Sequence, residues 1–77
     1  MSRPSRALQA RVQAAAARAF ERRFGEQPGA VGLEPGRVVW AWVCTRPPPG
    51  QAPRHAGYAR WTWTVDSLGR VRLRAAP

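Results

Sequence analysis

Between Tyr58 and Ala75 the chain alternates apolar and polar residues twice, as YARWTWTV and RVRLRA, on either side of the break Asp66-Ser67-Leu68-Gly69. Period-two alternation about a short loop containing glycine predicts a β-hairpin with strands 58–66 and 70–75. A three-residue loop with Gly69 in the left-handed region sets Asp66 opposite Arg70. It then pairs Val65 with Val71, Trp63 with Leu73 and Trp61 with Ala75 on one face. Thr64 with Arg72 and Thr62 with Arg74 share the other face. A two-residue loop would set Trp63 against Arg72 and mix the faces, so the pattern selects the longer loop.

A two-stranded hairpin is marginal in water, and its apolar face needs a cover. The stretch from Ser5 to Phe24 contains neither Gly nor Pro and places Leu8, Val12, Ala15, Ala16, Ala19, Phe20 and Phe24 at helical spacings. Ser5 suits the N-cap, Gly25 the left-handed stop and Pro28 the bar to continuation, which predicts a helix over 5–24. Arg11, Arg18 and Arg22 form a basic ridge on another side of it. Residues 37–46, RVVWAWVCTR, are rich in β-branched and aromatic residues and apolar in both alternating sets. They predict a strand buried on two sides, with either Val39, Ala41 and Val43 or Trp40 and Trp42 facing the helix. Gly25 to Gly36 reads as a connector, and the Pro-rich stretch 47–57 as a loop that joins no ladder. The sum is one small α+β domain over 1–77, with one N-terminal helix packed on a three-stranded antiparallel sheet.

In that meander the strand 37–46 is an edge, and a long apolar edge is a surface that proteins pair or hide. The expected function is therefore a small non-enzymatic protein-interaction module: an inhibitor, an accessory subunit or a homodimer. Its interface would be Val39, Trp40, Ala41, Trp42 and Val43, covered by another protein or a second copy of the chain. A fold-back of the Pro-rich loop is the intramolecular alternative. The helix-on-sheet order is similar to that of PepSY-like and cystatin-like units, which implies inhibitor or interaction roles.

Charge supports an alternative. Thirteen arginines stand against Glu21, Glu26, Glu34 and Asp66, for a net charge of +9, which favours an anionic partner. Arg60, Arg70, Arg72 and Arg74, with Thr62 and Thr64, line the hairpin face away from Trp61 and Trp63. That surface suits a nucleic-acid phosphate backbone, with Arg11, Arg18 and Arg22 as an extension of it. With all four tryptophans assigned to the core, this face lacks the aromatics on which single-strand binders stack bases. The chain has no Lys, Ile or Asn, the codon bias of a GC-rich genome, so the choice of Arg over Lys says nothing of phosphate. The sign of the charge stands.

No catalytic constellation is visible. His55 lies in the Pro-rich loop beside Arg54 with no carboxylate in local reach, and Cys44 sits in an apolar strand as an inert thiol. A lone cysteine forms no intrachain disulfide, and Cys44 with His55 falls short of the four ligands of structural zinc. No enzyme activity, cofactor, metal or small-molecule substrate is expected. The stretch after Arg3 and Arg6 is interrupted by Gln9, Arg11 and Gln13, so neither a signal-peptide core nor a membrane span is expected, and the cytoplasm is the expected compartment.

The residues Ala19-Phe20, Phe24-Gly25, Pro28 and Pro35-Gly36-Arg37-Val38 resemble the N-terminal segment of galactokinases. There a helix ending in Phe-Gly leads to a strand opening Pro-Gly-Arg-Val. Where that family continues with its sugar-site signature, this chain has Val39-Trp40-Ala41-Trp42-Val43-Cys44, and only Arg37 matches a functional position. The resemblance implies a helix-turn-strand and no kinase activity.

Overall fold

A computed structural model describes residues 4–76, so Arg3 lies outside the described residues. Five elements follow one another: α1 (Arg6–Phe24), β1 (Ala30–Glu34), β2 (Val38–Thr45), β3 (Arg54–Val65) and β4 (Val71–Ala75). The fold is α+β, with the helix on one face of an antiparallel sheet of order β1-β2-β3-β4. The sheet has four strands, where the sequence predicts three.

The helix begins and ends for local reasons. The Ser5 hydroxyl accepts from the Leu8 N–H at 3.1 Å, satisfying one of the free donors of the first turn. Gly25 takes φ 78° and donates its N–H to the Glu21 carbonyl at 2.8 Å, a conformation that costs a residue with a Cβ. Arg22 and Arg23 in the last turn oppose the negative end of the helix dipole.

The additional strand comes from the expected connector. Within Ala30–Glu34, Val31 and Leu33 point to the core while Ala30, Gly32 and Glu34 point away, and Val31 pairs with Ala41 and Leu33 with Val39. The three-residue turn Pro35-Gly36-Arg37 closes this hairpin, with both Gly36 (φ 79°) and Arg37 (φ 62°) left-handed. Arg37 holds that conformation although it has a Cβ. Its carbonyl accepts the Trp63 N–H at 2.8 Å, and its guanidinium lies 5.3 Å from the Trp63 ring centroid.

Strand β1 also removes the expected edge. β2 is paired on both sides, to β1 and to β3, and the outer strands are β1 and β4. β3 starts earlier than the prolines suggest: the ladder resumes at Arg54, directly after Pro53, so the loop between β2 and β3 is shorter than 47–57. A bulge at Val43/Cys44 takes up the extra residue, pairing Val43 with Gly57 and Cys44 with His55. Gly57 is buried at this point under the rings of Phe24 and Phe20, which approach so closely that a Cβ would press on them.

β3 and β4 pair in the three-residue-loop register, with Trp63 opposite Leu73, Val65 opposite Val71 and Thr62 opposite Arg74. Val12, Ala16 and Phe20 of α1 share one buried core with Val39, Ala41, Ala59, Trp61 and Trp63. The small side chains Ala16, Ala41 and Ala59 let the helix lie close to the sheet, and Phe20 and Phe24, with ring centroids 4.4 Å apart, fill its C-terminal end. The inner set of β2 is therefore Val39, Ala41 and Val43. Burial of Trp61 and Trp63 beside them supplies the large apolar area that a chain without Ile otherwise lacks.

Candidate nucleic-acid interface on the open sheet face

The helix occupies one side of the sheet, and the other side is open. Alternation along each strand decides what that side presents: Trp40 and Trp42 from β2, Tyr58, Arg60, Thr62 and Thr64 from β3, and Arg72 and Arg74 from β4. Tyr58, Thr62, Thr64, Arg72 and Arg74 are exposed, and Trp40, Trp42 and Arg60 are half-buried. The expectation that all four tryptophans are core is corrected here. Trp61 and Trp63 are buried under α1, whereas the two tryptophans of β2 fall on the opposite face by parity.

The aromatic rings form a connected row. Trp40 and Trp42 have centroids 6.1 Å apart in an edge arrangement, Trp42 meets His55 edge-on at 4.4 Å, and His55 lies nearly parallel to Tyr58 at 6.0 Å. His55 belongs to this row because β3 begins at Arg54; it is a strand residue and not part of a loop. Trp40 is seated on Gly32, where a Cβ would overlap its six-membered ring. Glycine in β1 thus lets the indole lie across the neighbouring strand. Tyr58 is 46% exposed and His55 is exposed as well, so two rings of the row are open to solvent.

Arginines continue the face toward β4. Arg60 donates from Nε to Glu34 Oε2 at 3.0 Å, a bridge that spans β2 and holds the guanidinium over the sheet. Arg72 and Arg70 both donate from Nε to Asp66 Oδ2, at 3.2 and 3.1 Å. Asp66 Oδ1 accepts the backbone N–H groups of Arg70 and Leu68 at 2.8 and 2.9 Å. The Arg70 N–H, then the Leu68 N–H and the Arg70 and Arg72 guanidinium groups, outweigh desolvation and hold the Asp66 carboxyl below its ordinary range. These exposed pairs add little to stability, but they orient side chains. Among the described residues no carboxylate pairs with Arg74, which is exposed opposite Thr62.

The structure divides the sequence-derived candidates. Trp40 and Trp42 lie on the open face, but Val39 and Ala41 are fully buried beneath α1 and Val43 packs against the same core. The strand's small and β-branched set faces the helix, so Val39 and Ala41 offer no exposed surface and Val43 is left half-buried. Arg60, Arg72 and Arg74 lie on the sheet face. Arg70 precedes β4 and, with Arg11 and Arg18, lines a cleft on the helix side. Arg22 is exposed and does not line that cleft. The end of the Pro-rich segment reaches the open face through His55, which meets Trp42 and Tyr58. Cys44 is exposed rather than buried, and pairs across the ladder with His55.

Among the described residues no three His, Cys, Asp or Glu side chains gather as a metal site, and no helix is long and apolar enough to cross a membrane. Comparison with protein-family models, with curated proteins and with solved structures finds no match.

Proposed function

We propose that the open sheet face binds single-stranded nucleic acid. One observation carries the reading: the row Trp40, Trp42, His55 and Tyr58 shares a face with Arg60, Arg72 and Arg74. Aromatic rings stack on bases of any sequence, at about 1–3 kcal/mol per base, while arginines track the phosphates. Thr62 and Thr64 add hydroxyls between the two groups. The net charge of +9 draws the polyanion in, and the positioned guanidinium groups meet it. The protein on this reading is a binding module and not an enzyme. Base stacking needs unpaired bases, so single strands are favoured over duplex.

The test is fluorescence anisotropy of a labelled single-stranded oligonucleotide against the wild type and the Trp40→Ala and Trp42→Ala variants. Each variant should weaken binding about fivefold or more, from the loss of about 1 kcal/mol or more of stacking. A competing duplex of the same sequence should displace the probe poorly. Unchanged affinity in both variants overturns the reading.

A protein partner on the same face is the second reading. It is favoured by the half-buried apolar side chains Val38, Trp40 and Trp42 on that face. Such a partner, including a second copy, would now dock on Trp40 and Trp42 and not on Val39, Ala41 and Val43. Sizing chromatography at tens of micromolar tests the second copy: a dimer that dissociates in Trp42→Ala supports self-association, and a monomer removes it.

A further inference from the structure

On the helix side of β4, Arg11, Arg18 and Arg70 surround an open cleft of about 300 Å³ whose remaining walls are Ala14, Ala15 and Val71. The lining includes no carboxylate. Two of the three guanidinium groups are held in place from outside the cleft, Arg11 by donating to the Gly69 carbonyl and Arg70 by its bridge to Asp66. Arg18 has no carboxylate partner among the described residues. Methyl side chains at 14 and 15 keep the floor low. Three like charges brought to one depression repel one another until an anion sits between them, and guanidinium forks match phosphate oxygens. The cleft also meets the sheet face, because Arg70 shares Asp66 with Arg72.

We propose that this cleft is a second anion site, which holds a phosphate of a nucleic-acid strand that leaves the sheet face around β4. The anion class follows from the cleft alone; the identity of the ligand as nucleic acid rests on the sheet-face reading. Short strands then occupy the aromatic row, and longer strands also reach Arg18.

Two measurements on the full chain test it. Oligothymidylates of about 5 and about 15 nucleotides, spanning the usual range of single-strand sites, are titrated against the wild type and Arg18→Glu. Arg18→Glu should lower affinity for the longer oligonucleotide about tenfold, the value of one hydrogen bond to a charged group, and leave the shorter one within about twofold. The salt slope for the longer strand should become shallower by about 0.7 for each phosphate that the variant no longer neutralises. In the second measurement inorganic pyrophosphate is added to the ¹⁵N-labelled protein, and the amide signals of Ala15, Arg18, Arg70 and Val71 should shift in the wild type but not in Arg18→Glu. Pyrophosphate that moves none of these signals overturns the site, and so does an Arg18→Glu variant that weakens both oligonucleotides equally or neither. If the wild type binds no oligonucleotide while pyrophosphate still moves the cleft signals, the sheet-face reading fails and the cleft stands as an anion site of another ligand.

Discussion

Trp40 can lie across β1 only because residue 32 has no side chain, since a Cβ there would overlap its indole ring. Gly32→Val should therefore lift Trp40 from the sheet while sparing the buried core on the other face. The expected result is a red-shifted tryptophan emission and a loss of oligonucleotide affinity similar to that of Trp40→Ala, with far-ultraviolet circular dichroism unchanged. Asp66 gives a second prediction at this scale. Its carboxyl is held below the ordinary range, first by the Arg70 backbone N–H, so its contribution to stability is present above the unfolded-state value of about 4 and is lost as pH falls through the lower folded-state value. Thermal midpoints of the wild type and Asp66→Asn should thus differ most near neutrality and converge in acid. A difference that is the same at about pH 7 and about pH 2 contradicts that assignment. Trp63, opposite Leu73 and under the Arg37 guanidinium, is the deepest indole of the hairpin. Trp63→Ala should cost about 3–5 kcal/mol by denaturant unfolding, a large share of what so small a chain has to lose.

Elements differ in how much of themselves they write into the sequence. The helix is legible because Ser5, Gly25 and Pro28 bracket an apolar stripe, and the β3–β4 hairpin because Gly69 and the alternation leave one register that keeps the faces unmixed. β1 is hidden for a physical reason. It is five residues long, with Gly32 at its centre and Pro28, Gly29, Pro35 and Gly36 around it, so local propensity argues for a connector. The alternation of Val31 and Leu33 is a weak signal, and the glycine acquires its meaning only once Trp40 is seen to lie on it. The start of β3 is hidden by Pro53, because a proline stops a ladder but does not say on which residue the ladder resumes. The two apolar sets of β2 are equivalent in sequence. Close approach of Ala16 to a sheet surface carrying Ala41 and Ala59 decides between them, and with that decision the tryptophans move to the open side. The arginine half of the site is therefore readable from β3 and β4, whereas its aromatic half depends on the strand order.

At the scale of the molecule, one helix cannot cover both sides of a four-stranded sheet, and the uncovered side carries rings at one end and guanidinium groups at the other. On the proposed reading a strand bound there would meet Arg72 and Arg74 with its phosphates, so changing both to Ala should make the log–log salt dependence shallower by about 0.7 for each phosphate left unneutralised. The fold should tolerate the change, because both side chains are exposed. The four indole N–H groups offer the most direct test, since they report separately on the two faces in a single ¹⁵N spectrum of the wild-type protein. On addition of a single-stranded oligonucleotide the Trp40 and Trp42 indole signals should shift progressively while those of Trp61 and Trp63, buried under the helix, stay in place. Four unmoved indole signals at saturating oligonucleotide, or movement of Trp61 and Trp63 alone, would contradict binding at the open sheet face.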